Sequence, residues 1–445
     1  VSPYRIVVVD DSPFMRKIIS DLINADPDFT VVATAATGTE AVLAAAEWKP
    51  DAITMDLEMP EMNGLEALQK IMDSSPLPVI MFSGISEDNT RQTIAALQFG
   101  AFDFMRKPSV SMDMLQIGCQ LLEKLKIAVQ TRKRFSLALK TGSAPPANNI
   151  EHGEGKTARS KPGSLDSGSG KSANKPQELP RSGKRESGPP EQIPDVNERS
   201  SRPSSANRMG VEGRTEQAPN TSHCSNPGVP EHADVKAGIS VPGPAKFEVQ
   251  RQTFQHLIAI GTSTGGPRAL HNVITALPED LPAPVLVVQH MPPRFTRSLA
   301  QRLDSFSKLC VTEAEHGERL AAGTVYIAPG GSHLKLGRDS LGYYISLTNE
   351  DAVCGHRPSV DVLFRSLIPH PELQRIAVIM TGMGSDGAQG MKELAASGPA
   401  VTIAEAEETC IVYGMPRCAV ENGSAKAVLP LHRIAERLIN EVTKP

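Results

Sequence analysis

The sequence has no excess of basic residues: 46 Lys and Arg stand against 50 Asp and Glu, a formal net charge of -4. That balance disfavours a nucleic-acid-binding output, because such affinity comes largely from neutralising phosphates. Long apolar runs are missing too. Apolar runs such as Ile6 to Val9 and Val285 to Val288 are strand-length, far short of the ~20 residues that span a bilayer. No basic segment followed by an apolar stretch occurs near the first residues, so no secretory signal is expected. The cysteines are few and scattered: Cys119, Cys224, Cys310, Cys354, Cys410 and Cys418 form no C-x-x-C pair. Such spacing supports neither a disulfide framework nor a zinc site. The expectation is a soluble, cytoplasmic protein with reduced thiols, not embedded in a membrane and without a nucleic-acid partner.

What remains is an ordinary globular composition, 40% hydrophobic and 22% charged, over 445 residues. That length exceeds one compact domain and allows two or three. From about Thr141 to Gln250 the composition shifts abruptly to Ser, Pro, Gly, Asn, Glu, Lys and Arg. A stretch so poor in apolar residues cannot build a core and is expected to be disordered. The domain organisation read from this shift is residues 1–130, a linker over 141–250, and a second domain over 251–445.

The first part alternates strands and helices five times, with strands expected at Arg5 to Val9, Thr30 to Thr34, Ala52 to Met55, Val79 to Phe82 and Phe102 to Met105. Helical patterns such as Met15 to Asn24 and Gly38 to Glu47 separate them. This α/β pattern implies a flavodoxin-like, five-stranded parallel sheet. Beyond the linker, His256 to Ile260, Val285 to Gln289 and Ile376 to Met380 read as buried strands, each leading into a Gly- or Pro-rich loop. A second doubly wound, Rossmann-like α/β domain follows. Within it, Gly323 to Thr348 alternates with turns expected at Gly330-Gly331 and Arg338-Asp339, which predicts antiparallel hairpins appended to the parallel sheet.

Asp10 and Asp11 end the first expected strand, Asp56 the third and Ser83 the fourth, while Lys107 follows the fifth just before Pro108. In a parallel sheet these positions converge at the carboxyl edge. Three carboxylates gathered there repel one another unless a hard cation such as Mg²⁺ lies among them, and a lysine and hydroxyl opposite suit a phosphoryl oxygen. The chemistry implied is phosphoryl transfer onto a carboxylate. With its Asp10-Asp11 pair, its "MDLEMPEMNG" run, its "FSG" and its "RKP", the segment resembles the receiver domain of two-component response regulators. The resemblance implies that Asp56 accepts phosphate from a histidine kinase, that Asp10, Asp11 and Asp56 hold Mg²⁺, and that Ser83 and Lys107 contact the phosphoryl group. The position three residues before the lysine, often Tyr in receivers, is Phe104.

In the second domain, "HLIAIGTSTGGP" runs a buried strand into a Gly-rich turn that presents Ser263 at the sheet edge. Alone this is ambiguous: such loops cradle phosphates, and this one also satisfies the G-x-S-x-G pattern of serine hydrolases. His290 in "VLVVQHMP" and Asp386 in "TGMGSDGAQG" follow the other two strands. A serine needs a base and the base an orienting acid, so the three together read as a triad. Their order differs from the Ser, Asp, His order of α/β-hydrolases. The motifs "GTSTGG", "QHMP", "APGGSHL", "RPSVDVLF", "TGMGSDGAQG" and "YGMPR" resemble the catalytic domain of the chemotaxis methylesterase family, CheB. The resemblance implies Ser263 as nucleophile, His290 as general base and Asp386 as its orienting acid. It further implies that Thr264 hydrogen-bonds near His290 and that the Met383 N–H serves an oxyanion hole.

The implied activity is phosphorylation-activated hydrolysis of glutamyl methyl esters on methyl-accepting chemoreceptors, with deamidation of receptor glutamines by the same acyl chemistry. No cofactor is expected for the esterase. A receiver-controlled esterase acting on another protein ester, a receiver-linked nucleotide-binding module and a non-catalytic signalling scaffold are the alternatives. A flexible tether supplies an effective concentration of only about the mM range or below. Receiver control therefore requires a specific docking surface between the domains.

Overall fold

A computed structural model describes residues 2–84, 86–107, 114–140 and 254–444. The segment expected as a linker, 141–250, lies outside the described residues, as does Pro108.

The first domain runs β1 (Tyr4–Val9), α1 (Pro13–Asn24), β2 (Phe29–Ala35), α2 (Gly38–Trp48), β3 (Ala52–Asp56), α3 (Gly64–Ser74), β4 (Val79–Ser83), α4 (Glu87–Phe99), β5 (Asp103–Arg106) and α5 (Met114–Lys140). Its sheet has the order β2-β1-β3-β4-β5 with every pairing parallel, the flavodoxin-like arrangement expected. Ile6 to Val9 and all of β3 and β4 are buried. Their runs are continuously apolar because helices cover both faces of the sheet. Ser12, Thr37, Asn63 and Ser86 each accept a backbone N–H three residues on and so cap the helices that leave the carboxyl edge.

The second domain runs β6 (His256–Thr262), α6 (Gly266–Ile274), β7 (Val285–Gln289), α7 (Phe295–Asp304), β8 (Cys310–Glu313), β9 (Thr324–Ile327), β10 (His333–Asp339), β11 (Gly342–Thr348) and α8 (Val360–Ser366). It continues with β12 (Gln374–Ile379), α9 (Ala388–Ala396), β13 (Ala400–Glu405), α10 (Met415–Glu421), β14 (Ala427–Leu429) and α11 (Leu431–Val442). A seven-stranded parallel sheet has the order β14-β13-β12-β6-β7-β9-β8. The order in which strands are added reverses at β6, so β12, β6 and β7 lie side by side at the switch point where α/β sheets place their ligands.

The hairpin expectation holds in part and is corrected in part. Among the described residues only β10 and β11 form an antiparallel strand pair, closed between Asp339 and Gly342, so the turn is Ser340-Leu341 rather than Arg338-Asp339. The strand before Gly330-Gly331, β9, belongs to the main parallel sheet. Gly330-Gly331 do form a turn, closed by the Ser332 N–H on the Pro329 carbonyl at 3.3 Å, but it joins no antiparallel pair; Gly330 also allows close approach, since a Cβ there would lie 2.3 Å from the Pro292 carbonyl carbon.

The two domains pack together through the α4, β5 and α5 side of the first. Phe104 is buried and stacks on Phe295 at the start of α7, ring centroids 4.6 Å apart. The hydroxyls of Thr90 and Ser298 meet at 2.7 Å, and Arg302 donates to the Gln98 side chain at 2.9 Å. Ile411 and Val412, in the loop before α10, join the apolar cluster containing Phe82, Phe102 and Leu121 of the first domain. A specific docking surface of the kind the tether argument requires is therefore present.

The Phe104 ring contributes about 1.5–3 kcal/mol through burial and about 0.5–1.5 kcal/mol through stacking. Phe104→Ala is expected to speed amide exchange in α7 at least tenfold, read by hydrogen-exchange mass spectrometry of the full chain. Unchanged exchange would mean that the ring does not hold the domains together.

Candidate active site

The last paired residues of β6 and β7 are Thr262 and Gln289, so Ser263 and His290 occupy the next position on two neighbouring strands. A hydrogen bond from the His290 N–H to the Thr262 carbonyl at 3.1 Å fixes this register past the strand ends. On the other side of β6, β12 leads into the loop carrying Asp386. His290 Nε2 lies 2.8 Å from Asp386 Oδ2, and His290 Nδ1 has no hydrogen-bond partner among the described residues. With the carboxylate accepting from Nε2–H, Nδ1 is left as the basic nitrogen. His356 stacks flat on the His290 ring, centroids 3.7 Å apart, and burial with repulsion from His290 lowers its pKa to about 4.

Asp386 is held by more than the histidine. Its Oδ1 accepts from the Ser359 hydroxyl at 2.8 Å and the Asp361 N–H at 3.0 Å, and its Oδ2 from the Val360 N–H at 2.7 Å. Burial raises its pKa, but the bonds from His290, Val360 and Asp361 outweigh burial and hold it below the usual carboxylate range. Asp361 returns the favour to α9, accepting the N–H groups of Gly387 at 2.9 Å and Gly390 at 2.6 Å. Each aspartate thus satisfies amides at the start of the other's helix.

The loop carrying Ser263 is equally constrained. Ser263 donates its N–H to the Thr381 carbonyl at 3.1 Å, and its own carbonyl accepts from Gly266 N–H at 2.8 Å and from Gln289 Nε2 at 2.9 Å. Gly382 allows close approach, since a Cβ there would lie 2.9 Å from Ser263 Cβ and 2.3 Å from Met415 Sδ. The Met383 N–H forms no hydrogen bond among the described residues.

In the first domain, Asp10, Asp11 and Asp56 bring oxygens within 4.8 Å of one another. Lys107 Nζ donates to Asp56 Oδ2 at 2.5 Å and lies 3.9 Å from Asp10. Among the described residues, Asp10 Oδ2 and Asp56 Oδ1 are buried without a hydrogen-bond partner. Two orphaned carboxylate oxygens beside a third acid are the donor set a hard divalent cation takes, so Mg²⁺ fits this site. Burial raises Asp10 and pushes Asp56 up to about 6, against the pull of Lys107. Ser83 is buried at the end of β4, accepts from the Thr93 hydroxyl at 2.7 Å and donates to the Gly84 carbonyl at 3.0 Å.

Residues 258–438 match the family model described as CheB methylesterase, and residues 6–117 match that of the response regulator receiver domain. A protein-glutamate methylesterase/protein-glutamine glutaminase of Geobacillus kaustophilus is 38% identical over 98% of this chain and 97% of its own length. One of Bacillus subtilis is 38% identical over 99% of both chains. The chain belongs to the CheB methylesterase family. The crystal structure of the Thermotoga maritima CheB methylesterase catalytic domain is 46% identical, covers 43% of this chain and 100% of its own, and has a TM-score of 0.41.

Two residues behave differently from the sequence expectation within this CheB family frame. Thr264 was expected near His290, yet its hydroxyl donates to Asp103 Oδ2 of β5 at 2.7 Å. Asp103 is itself paired with Lys124 of α5, so the receiver reaches the residue next to Ser263 with a fixed carboxylate. Phe104, notable in sequence only for not being Tyr, is the aromatic face of the domain contact. Sequence reading missed Ser359, His356, Thr381 and Glu405. The first two sit in the "HRPSVDVLF" stretch, whose S-V-D followed by apolar residues is a capping signal; Thr381 and Glu405 carry no local signal.

Asp56 near 6 gives a pH test. Above that value the carboxylate is charged and available to a cation; below it the group takes a proton. Mg²⁺ affinity of the unphosphorylated chain, measured calorimetrically, is expected to fall at least tenfold from pH 7 to pH 5. An affinity independent of pH over that range would show that Asp56 is not a ligand.

Proposed function

We infer that this chain hydrolyses glutamyl methyl esters on methyl-accepting chemoreceptors, releasing methanol and leaving glutamate, and converts receptor glutamines to glutamate. The observation that carries the reading is the 2.8 Å His290–Asp386 pair beside Ser263 at the carboxyl edge of adjacent strands, in a chain with near-full-length methylesterase relatives. Ser263 Oγ attacks the γ-carbonyl carbon while His290 Nδ1 takes its proton. The Met383 N–H stabilises the oxyanion. Collapse expels methanol, or ammonia from glutamine, with the proton returned from His290. Water activated by the same nitrogen then cleaves the acyl-serine. Asp386, kept ionised by its four hydrogen bonds, orients the imidazole and stabilises it when protonated. A phosphate-cradling reading of the Gly-rich loop gives the His290–Asp386 pair no task.

Asp56 accepts a phosphoryl group from a chemotaxis histidine kinase. Asp10, Asp11 and Asp56 would hold Mg²⁺, which would supply positive charge against the transferring group. Lys107 and Ser83 then contact the phosphoryl oxygens, which requires Ser83 to give up its bond to Gly84. In the unphosphorylated chain the receiver restricts Ser263, a reading supported by the Asp103–Thr264 bond and the low exposure of Ser263, 9%. Phosphorylation weakens this docking. The domain boundaries at 130 and 251 and cytoplasmic placement belong to the same reading.

A positioned base supplies about 10² to 10⁴-fold and an oxyanion donor about 10² to 10³-fold. Methanol release from methylated receptor membranes is therefore expected to fall at least 10³-fold in Ser263→Ala and to rise when a small phosphoryl donor is added to the unaltered chain. Normal release by Ser263→Ala would remove the proposed mechanism, and release insensitive to the donor would remove the proposed control.

A further inference from the structure

Glu405, the last residue of β13, is fully buried and, among the described residues, pairs with no cation; burial pushes its carboxyl up to about 7. A cost of that kind is retained where the group makes bonds that nothing else supplies. Glu405 Oε2 accepts the Thr381 N–H at 2.8 Å, and Oε1 accepts the Thr409 hydroxyl at 2.9 Å. β12 and β13 are paired up to Ile379 and Ala404, so Thr381 lies past the ladder and its N–H would otherwise be orphaned.

Thr381 is in turn the residue on which both catalytic loops rest. Its carbonyl accepts the Ser263 N–H at 3.1 Å, and its hydroxyl donates to the Thr264 carbonyl at 2.9 Å and accepts the Val412 N–H at 3.0 Å. The next two residues are Gly382, packed against Ser263, and Met383, the expected oxyanion donor. One buried side chain therefore fixes the backbone that sets the distance between nucleophile and oxyanion site.

We propose that Glu405, acting through Thr381, is a positioning residue for the nucleophile and oxyanion loops. It touches neither substrate nor reacting atoms. The task needs an acceptor for Thr381 N–H and a partner for Thr409, and it does not need a charge. Glutamine meets both demands: its carbonyl oxygen accepts from Thr381, and its amide donates to the Thr409 hydroxyl, which can turn to the Ala406 carbonyl already 3.3 Å away. Leucine meets neither.

The inference rests on Ser263 being the nucleophile, so the test reads that residue directly. The rate of Ser263 modification by a fluorophosphonate is measured by peptide mass spectrometry on the full chain with a phosphoryl donor present. Glu405→Gln is expected within about threefold of the unaltered chain. Glu405→Leu is expected about 100-fold slower, the size of effect a misplacement near 1 Å produces. Should Glu405→Leu fail to fold, Thr381→Val removes the hydroxyl bonds of the same network and is expected about tenfold slower, with Thr381→Ser restoring the rate. Labelling by Glu405→Leu or Thr381→Val at the normal rate, or by Glu405→Gln as slowly as by Glu405→Leu, would overturn the proposal. No labelling of Ser263 in the unaltered chain would overturn the nucleophile reading, and the proposal with it.

Discussion

Parallel strand pairing at the centre of the second sheet is the constraint from which the site follows. Because β12, β6 and β7 are hydrogen-bonded neighbours running the same way, their carboxyl ends open at one edge. Ser263, His290 and the loop bearing Asp386 are delivered there by backbone geometry alone. Strand pairing brings the residues together but does not orient side chains. That second task falls to buried hydrogen bonds: Ser359, Val360 and Asp361 on Asp386, and Thr381 and Gln289 on the Ser263 backbone. In a low-dielectric edge each such bond is costly to leave unmade, which makes the arrangement rigid.

The same edge is where the receiver docks. Asp103 and Phe104 lie on β5, and α4 supplies Thr90 and Gln98. Lys107, which pairs with Asp56, follows β5 directly. The Asp56–Lys107 pair and the docking face thus meet at β5. Asp103 bonds to Thr264, the residue after Ser263, and Phe104 packs on the helix that follows the His290 loop. A change at Asp56 has a short route to both contacts, through the Lys107 ion pair and the few residues of β5. A tether alone gives effective concentrations of only about the mM range, so an apolar stack with three polar contacts is the kind of interface that makes control by docking effective.

Much of this was legible in the sequence for a physical reason. Strands buried on both faces are near-continuously apolar, so Arg5 to Val9, His256 to Ile260, Val285 to Gln289 and Ile376 to Met380 announced themselves, and the candidate site residues lay on the loops after them. The hairpin was half legible: β10 and β11 alternate, and Gly330-Gly331 do form a turn, but it joins no antiparallel strands and also serves a close approach to Pro292. What could not be read were side chains acting on distant backbone. Thr381 meets Thr264 across 117 positions and Glu405 meets Thr381 across 24, and neither type at its own position hints at the partner. The Thr264–Asp103 bond was illegible for the same cause, since it depends on how two domains meet.

The central claim is that one acyl-serine at Ser263 serves both ester and amide. Partitioning of that intermediate between water and added hydroxylamine tests it most directly. The account predicts the same ratio of glutamyl hydroxamate to glutamate from methylated and from glutamine-bearing receptor, since both pass through one species. Ratios that differ, or methanol release without any hydroxamate, would contradict it.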